Sequence, residues 1–169
     1  KEYGIISIKD KVLHYVKANA KKKDYDNIRL ISKTKKQNAI LNLETNNLEI
    51  EGIDVVPINR SNGTLLRPDS FKLKLKKNRD MEFNGFFSCG RMDFFGNENE
   101  FFYEDFKINI PNIDTLIIYI PDGDRLDKYG NSSLKPINTI IENLTGTIEV
   151  NHPRNKSGRI DMPEYPKLH

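Results

Sequence analysis

The phenylalanines of this chain are confined to one stretch. All nine lie between Phe71 and Phe106, in the run Phe71, Phe83, Phe86, Phe87, Phe94, Phe95, Phe101, Phe102 and Phe106, separated by Gly, Asn and charged residues. Aromatic side chains bury large areas and favour strands, so the fold has to be built around this segment, and a β-rich core nucleated there is expected. The cluster says where the fold is held together. It carries no chemistry of its own.

The rest of the chain reads as strands and turns. Phe71-Lys72-Leu73-Lys74-Leu75-Lys76 alternates strictly, apolar on one face and Lys on the other, which is the pattern of a half-buried strand. Met81-Glu82-Phe83 alternates likewise, and Gly85, Gly90 and Gly96 punctuate the aromatic run. Upstream, Ile28–Ile31, Ala39–Leu43 and Leu48–Ile53 are short apolar runs, with Asn46-Asn47 a turn between the last two. Pro57 suits an edge or strand end, and Asn62-Gly63 is a turn signal. Downstream, Tyr103, Phe106, Ile108 and Ile110 continue the apolar pattern. Leu116–Ile120 is apolar on both faces and therefore expected to be central. Asp122 to Pro136 is polar and rich in turn formers, a predicted loop, and Ile137–Ile141 with Thr145–Val150 make a predicted final strand pair. Asp10 to Lys23 fits both a helix, through Val12, Val16 and Ala20, and a strand, through Val12, His14, Val16, Ala18 and Ala20; strand is preferred because all that follows is β. Short strands every eight to twelve residues predict an all-β fold, either an elongated solenoid-like stack or a sandwich stack, with a short N-terminal helix possible.

At 169 residues and 19.6 kDa the expectation is a single β-rich domain over residues 1–150, its first 36 residues basic, followed by an extended proline-containing tail or the start of a next segment at 151–169. A chain of this length buries roughly 70 % of its unfolded surface and needs no disulfide or metal staple. Cys89 is the sole cysteine, which excludes an intramolecular disulfide and a multi-cysteine zinc site. No apolar run approaches a membrane helix. The chain starts at Lys1, with no initiator Met, and is expected to be an internal piece of a longer protein. Its net charge of +3 conceals an asymmetry: residues 1–36 hold 11 Lys/Arg against 4 Asp/Glu, and the remainder is net acidic.

The stretch Lys76-Lys77-Asn78-Arg79-Asp80-Met81-Glu82-Phe83-Asn84-Gly85 is similar to a segment of very large β-rich cell-envelope proteins of the Bacteroidetes. Phe102-Tyr103-Glu104-Asp105-Phe106-Lys107-Ile108-Asn109-Ile110 and Asn155-Lys156-Ser157-Gly158, with Tyr165-Pro166 behind it, extend the likeness. It runs from about Tyr25 onward. The resemblance implies an internal slice of a long β chain in the periplasm or at the outer membrane, and it brings no catalytic or binding residue with it.

Each chemistry-bearing group has a plainer reading beside it. His14, His152 and His169 are far apart and none has a ligand-like neighbour, so a zinc or nucleophilic site is not expected. Cys89, beside Gly90 and Arg91, is a candidate for a cation-stabilised thiolate; a small residue in an aromatic core is the better reading. Asp122, Asp124, Asp127 and Asn131 offer hard oxygen ligands, yet Arg125 and Lys128 interrupt the spacing and Gly123 is too early for a calcium loop; a solvated turn is preferred. Glu98, Glu100, Glu104 and Asp105 flank paired aromatics, as a glycosidase would need; with no Trp in the chain, charges that guard a strand edge fit better. Lys21, Lys22, Lys23, Arg29, Lys33, Lys35 and Lys36 form a basic run without a base-stacking motif (Tyr15 and Tyr25 alone are weak), so a solvated face is preferred over nucleic-acid binding, with anionic lipid or lipopolysaccharide the more natural partner.

The sequence therefore predicts a non-enzymatic structural module of a large cell-envelope protein, with no catalytic residue, metal or cofactor and with neighbouring segments of the same chain as its partners. A glycan- or lipid-binding module is the alternative, and a glycosidase-like enzyme using Glu98, Glu100 or Glu104 stands third. Exposed aromatics would favour binding, buried ones the scaffold, and facing carboxylates in a cleft the enzyme.

Overall fold

The computed structural model describes residues 5–9, 12–16, 26–34, 37–138 and 140–169. The fold is all-β, with one 3-10 turn at Asp69–Phe71 and no α-helix among the described residues. A small sheet holds β1 (Ile5–Lys9), β2 (Val12–Val16) and β3 (Leu30–Ile31) in that order. The N-terminal helix allowed by the sequence is not formed over Val12–Val16, where the period-two pattern prevails: the backbone pairs Ile5 with Val16 through to Lys9 with Val12. The rest of Asp10–Lys23 lies outside the described residues.

The larger sheet contains β4 (Ala39–Asn42), β5 (Asn47–Glu51), β6 (Val56–Asn59), β7 (Thr64–Pro68), β8 (Lys72–Leu75), β9 (Met81–Cys89), β10 (Met92–Phe102), β11 (Lys107–Leu126), β12 (Ser132–Pro136), β13 (Leu144–Glu149) and β14 (Lys167–Leu168). Its main path runs β14-β13-β11-β10-β9-β8-β5-β4; β7 shares the edge of β9 with β8, β6 pairs with β7, and β12 continues along β11. Every pairing is antiparallel and the sheet does not close. Most ladders join sequence neighbours, while β5–β8, β7–β9 and β11–β13 skip intervening strands, and no solenoid coil is seen among the described residues.

Two expectations for the second half are corrected. Asp122–Pro136 is not a loop: β11 runs on to Leu126 and β12 returns beside it, pairing Tyr119 with Pro136 and Leu126 with Ser132. Ile137–Ile141 and Thr145–Val150 do not pair with each other. Ile141 bridges Leu116, and β13 pairs Ile113 with Leu144 and Lys107 with Glu149. Ile137 and Ile141 thus bond the same edge of β11 that β13 uses, and Asn143 has a φ of 56°. Of the apolar run Leu116–Ile120, expected to be central, Leu116 and Ile118 have neighbours on both edges, whereas Ile120 pairs with β12 and is exposed.

Alternation decides which side of the sheet is buried. In β9, Met81, Phe83, Gly85, Phe87 and Cys89 face inward, while Glu82, Phe86 and Ser88 face the open side. Phe87 stacks on Phe94 at 4.6 Å with planes 5° apart, Phe83 meets Phe87 edge-on at 6.0 Å, and Phe101 meets Phe106 at 5.6 Å. Aliphatic residues from β5, β6, β11 and β13 complete this core. Gly85 is required in place: its φ is +112° and a Cβ there would sit 2.8 Å from the backbone nitrogen of Asp69. That close approach lets β7 turn through Asp69–Phe71 into β8, so both strands use the same edge of β9.

The proline-bearing segment 151–169 runs back over the sheet. Asn62 Nδ2 donates to the Val150 carbonyl at 2.6 Å, Asn155 is buried, and β14 pairs Ile148 with Leu168. No described helix is long and apolar enough to cross a membrane.

Candidate functional site

The open face of β5, β8, β9 and β10 forms a concavity of about 1010 Å³ where β8 and β9 part beyond the Lys74–Glu82 pair, toward Leu73 and Phe83. Its walls follow from strand alternation: the residues that point away from the core are Glu49 and Glu51 on β5, Lys72 and Lys74 on β8, Glu82 and Asn84 on β9, and Glu98 and Glu100 on β10. Cross-strand register places Glu49 opposite Lys74, Lys74 opposite Glu82, and Glu82 opposite Glu100. Opposite charges in adjacent strands attract, and the row is laced accordingly. Lys72 pairs with Glu51 at 3.0 Å, Lys74 with Glu82 at 2.8 Å, and Lys76 with both Glu82 at 2.6 Å and Glu100. The hydrogen bond from Lys74, then that from Lys76, holds the Glu82 carboxyl below its ordinary pKa; Glu100 and then Glu82 raise that of Lys76. A carboxyl held ionised by two ammonium groups is a poor proton donor, so Glu82 does not supply the raised-pKa acid that glycoside hydrolysis uses.

Glu98 stands apart at a bulge in β10. Its φ is 57°, its N–H donates to Asn84 Oδ1 at 2.7 Å, and its carboxylate is exposed at the rim. Glu104 is exposed in the turn between β10 and β11, and Asp105 pairs with Lys107 at 3.2 Å in that same region. The structure therefore brings Glu98 and Glu100 to one concavity and leaves Glu104 and Asp105 outside it.

Beside the concavity the same face carries aromatics. Phe86 and Phe95 lie side by side with centroids 5.0 Å apart, and the Arg67 guanidinium lies 5.8 Å from the Phe86 ring. Phe71 and Phe95 are exposed and Phe86 and Phe102 half-buried, so these four of the nine do not join the core.

The remaining candidates are dispersed. Cys89 is fully buried, contacts Thr64 Oγ1 at 3.1 Å, and burial pushes its thiol pKa up to about 12, which makes it a core residue and a poor nucleophile. Asp127 accepts the backbone N–H groups of Tyr129 and Asn131, bonds that lower its pKa, and Asp122 is held by Arg125 and Lys135. These carboxylates close a turn and a strand pair at the tip of the β11–β12 arm; among the described residues no group of three or more His, Cys, Asp or Glu is placed to hold a metal ion. His152 Nδ1 accepts from the Arg154 N–H, and His169 Nε2 lies 3.5 Å from Glu149. His14 is placed in β2, with only its backbone described. Of the basic run, Arg29 is exposed and Lys33 pairs with Asp54; Lys21, Lys22, Lys23, Lys35 and Lys36 lie outside the described residues, as does Tyr25.

One node escaped sequence reasoning. Asp26 takes two contacts from the Arg79 guanidinium, at 3.0 and 3.2 Å, and the Tyr103 hydroxyl donates to it at 2.6 Å. Arg79 stacks 3.9 Å from the Tyr103 ring centroid, with Lys156 at 4.9 Å. Burial, then the bond to Asp26, raises the Tyr103 pKa, so the phenol stays a donor at neutral pH. Four segments meet here. Comparison with known protein families, with curated proteins and with solved structures finds no match to this chain.

Proposed function

We propose that this chain is a non-enzymatic structural module of a large cell-envelope protein, one slice of an elongated β scaffold. The observation that carries the reading is the use made of the aromatic cluster: Phe83, Phe87, Phe94, Phe101 and Phe106 are packed into the core. The polar side chains follow the same logic. Lys76 clamps two strands through Glu82 and Glu100, and Arg79, Asp26 and Tyr103 tie turns together. These groups are occupied in cohesion. The envelope location rests on the likeness of Lys76–Gly85 and the two later stretches to Bacteroidetes envelope proteins. Fractionation of cells expressing the full-length chain tests it: recovery with the envelope is expected, and recovery in the cytosol overturns the location.

A second reading has its own observation. The Phe86–Phe95 pair with Arg67, next to a carboxylate- and amide-lined concavity, is the arrangement a glycan-binding face uses, an apolar platform for sugar rings beside polar groups for hydroxyls. Titration with envelope glycans followed by NMR decides between them. Shifts centred on Phe86 and Phe95, lost in Phe95→Ala, would make the module a binding one.

A further inference from the structure

Edge strands invite pairing, and three of the edges in the larger sheet are guarded. β14 is two residues long and begins with Lys167, β12 ends in Lys135-Pro136, and β6 is buried beneath the returning segment, with Asn59 almost wholly covered. Short length, lysine, proline and covering segments are how sheets avoid adding strands. β4 is short too, but among the described residues it has no lysine, proline or covering segment. Its four residues, Ala39-Ile40-Leu41-Asn42, contain no charge or proline and pair with β5 without a bulge.

The direction of its free backbone groups follows from one hydrogen bond. The Glu51 N–H donates to the Asn38 carbonyl at 2.9 Å, so Asn38 faces β5. In an antiparallel ladder such residues alternate, and Ile40 and Asn42 therefore face β5 as well. Ala39 and Leu41 direct their N–H and C=O groups outward, where the described residues offer no strand to receive them. The side chains are also unfinished: Ile40 is 68 % exposed, Leu41 46 % and Leu43 80 %.

We infer that β4 is a self-pairing edge, on which a second copy of this chain adds its own β4 antiparallel about a two-fold axis centred on Ile40. In that register Ala39 and Leu41 exchange backbone hydrogen bonds with Leu41 and Ala39 of the other copy. Asn38 falls opposite Asn42, and Gln37 opposite Leu43, so no like charges meet over this span. Ala39 and Leu41 share the inner side of the sheet with Ile50 and Leu48, their partners in β5. The apolar layer of one copy is thereby continued into the next, which an edge presenting charge could not do. A four-residue edge buries less than the roughly 1,200 Å² of a standard stable interface, so the association is weak, in the micromolar-to-millimolar range. It depends on edge geometry alone and is independent of where in the cell the chain works.

Sedimentation equilibrium of the purified chain over a wide concentration range reads it directly. The mean mass should climb from 19.6 kDa toward twice that value; a mass that stays monomeric at every concentration overturns the inference. Ile40→Lys sets like charges against each other at the two-fold axis and, at so exposed a position, should keep the wild-type melt while abolishing the climb. Association unchanged in Ile40→Lys but lost in Leu134→Lys would assign it to the β11–β12 arm and overturn the proposal. An independent arm uses Ile40→Cys. Ile40 would form a non-hydrogen-bonded pair with its copy, with Cα atoms about 4.5 Å apart, within disulfide reach. Mild oxidation should give a covalent dimer through the introduced thiol, Cys89 being buried. Failure to cross-link under conditions where the chain associates overturns the register.

Discussion

Phe94 and Phe95 are neighbours in β10 with opposite fates, since successive side chains in a strand point to opposite faces. Phe94 lies flat on Phe87 with no exposed surface, and Phe95 is 40 % exposed beside Phe86. Phe94→Ala should cost ~3–5 kcal/mol through lost transfer energy and an unfilled cavity, while Phe95→Ala should cost well under half as much; urea melts of the two variants check the contrast. Glu82 supplies a pH test. Its pKa is held below the ordinary carboxylate range by Lys74 and Lys76, so its contribution is present above that range and is lost as pH falls through its folded pKa. In Glu82→Gln the acid limb of stability against pH should flatten there, with little change in slope near neutrality. Wild-type slope retained in the variant would mean that the ion pairs contribute nothing. The burial of Phe83, Phe94 and Phe106 was legible because alternation is local. The Lys76 clamp was not: Lys76 and Glu100 are separated by 24 positions, and only the registers of two ladders bring them together.

At the scale of elements, the β11–β12 arm is the least supported piece of the sheet. β10 ends its pairing at Met92 with Ile118, and beyond Tyr119 the arm pairs, among the described residues, only with itself. A two-stranded ribbon in water is marginal on its own, and Ile120, Leu126, Tyr129 and Leu134 on this arm are exposed. Among the described residues, limited trypsin digestion should therefore cut first after Arg125 or Lys128, with the two fragments remaining together through the β11–β13 and β10–β11 ladders. A first cut at Arg67 or Lys74 would contradict this ranking. Added Ca²⁺ should leave the melting temperature unchanged, because the Asp127 oxygens are already taken by Tyr129 and Asn131 and Asp122 by two cations. A calcium-dependent rise abolished by Asp124→Ala would reverse that reading of the tip. Polarity made residues 122–136 look like a loop, because an arm standing clear of the sheet buries neither face and shows no apolar alternation. Strands that pack, such as Lys72–Leu75, carry the pattern since one face is covered, and those were read correctly.

For the molecule as a whole, cohesion depends on chain ends that return to the sheet. Asp26 bonds Arg79 and Tyr103, Lys156 lies against the same tyrosine ring, and Asn62 reaches the Val150 carbonyl. None of these contacts is written in a local pattern, because Asp26 and Tyr103 meet only after the sheet has formed. The all-β class was legible from strand spacing; the returning ends were not, since proline and polar residues after Val150 look the same whether the segment trails or docks. The docked segment is organised by Asn155, whose amide donates to the Ile160 carbonyl at 2.8 Å and to Asn151 Oδ1 at 3.1 Å, while its oxygen accepts the Ile160 N–H. Asn155→Ala removes one buried bond, to Asn151, and two part-buried ones, to Ile160, and should cost about 1–3 kcal/mol in all. Removing the chain after Val150 should do more. Pro166 packs against Gly90, and β14 hydrogen-bonds β13, so truncation uncovers the end of β9. The Cys89 thiol, silent toward a thiol reagent in the intact protein at neutral pH, should then react on mixing, and the urea midpoint should fall. A truncated chain that keeps both the silent thiol and the wild-type midpoint would show that the segment is an appendage, and that the sheet is complete without it.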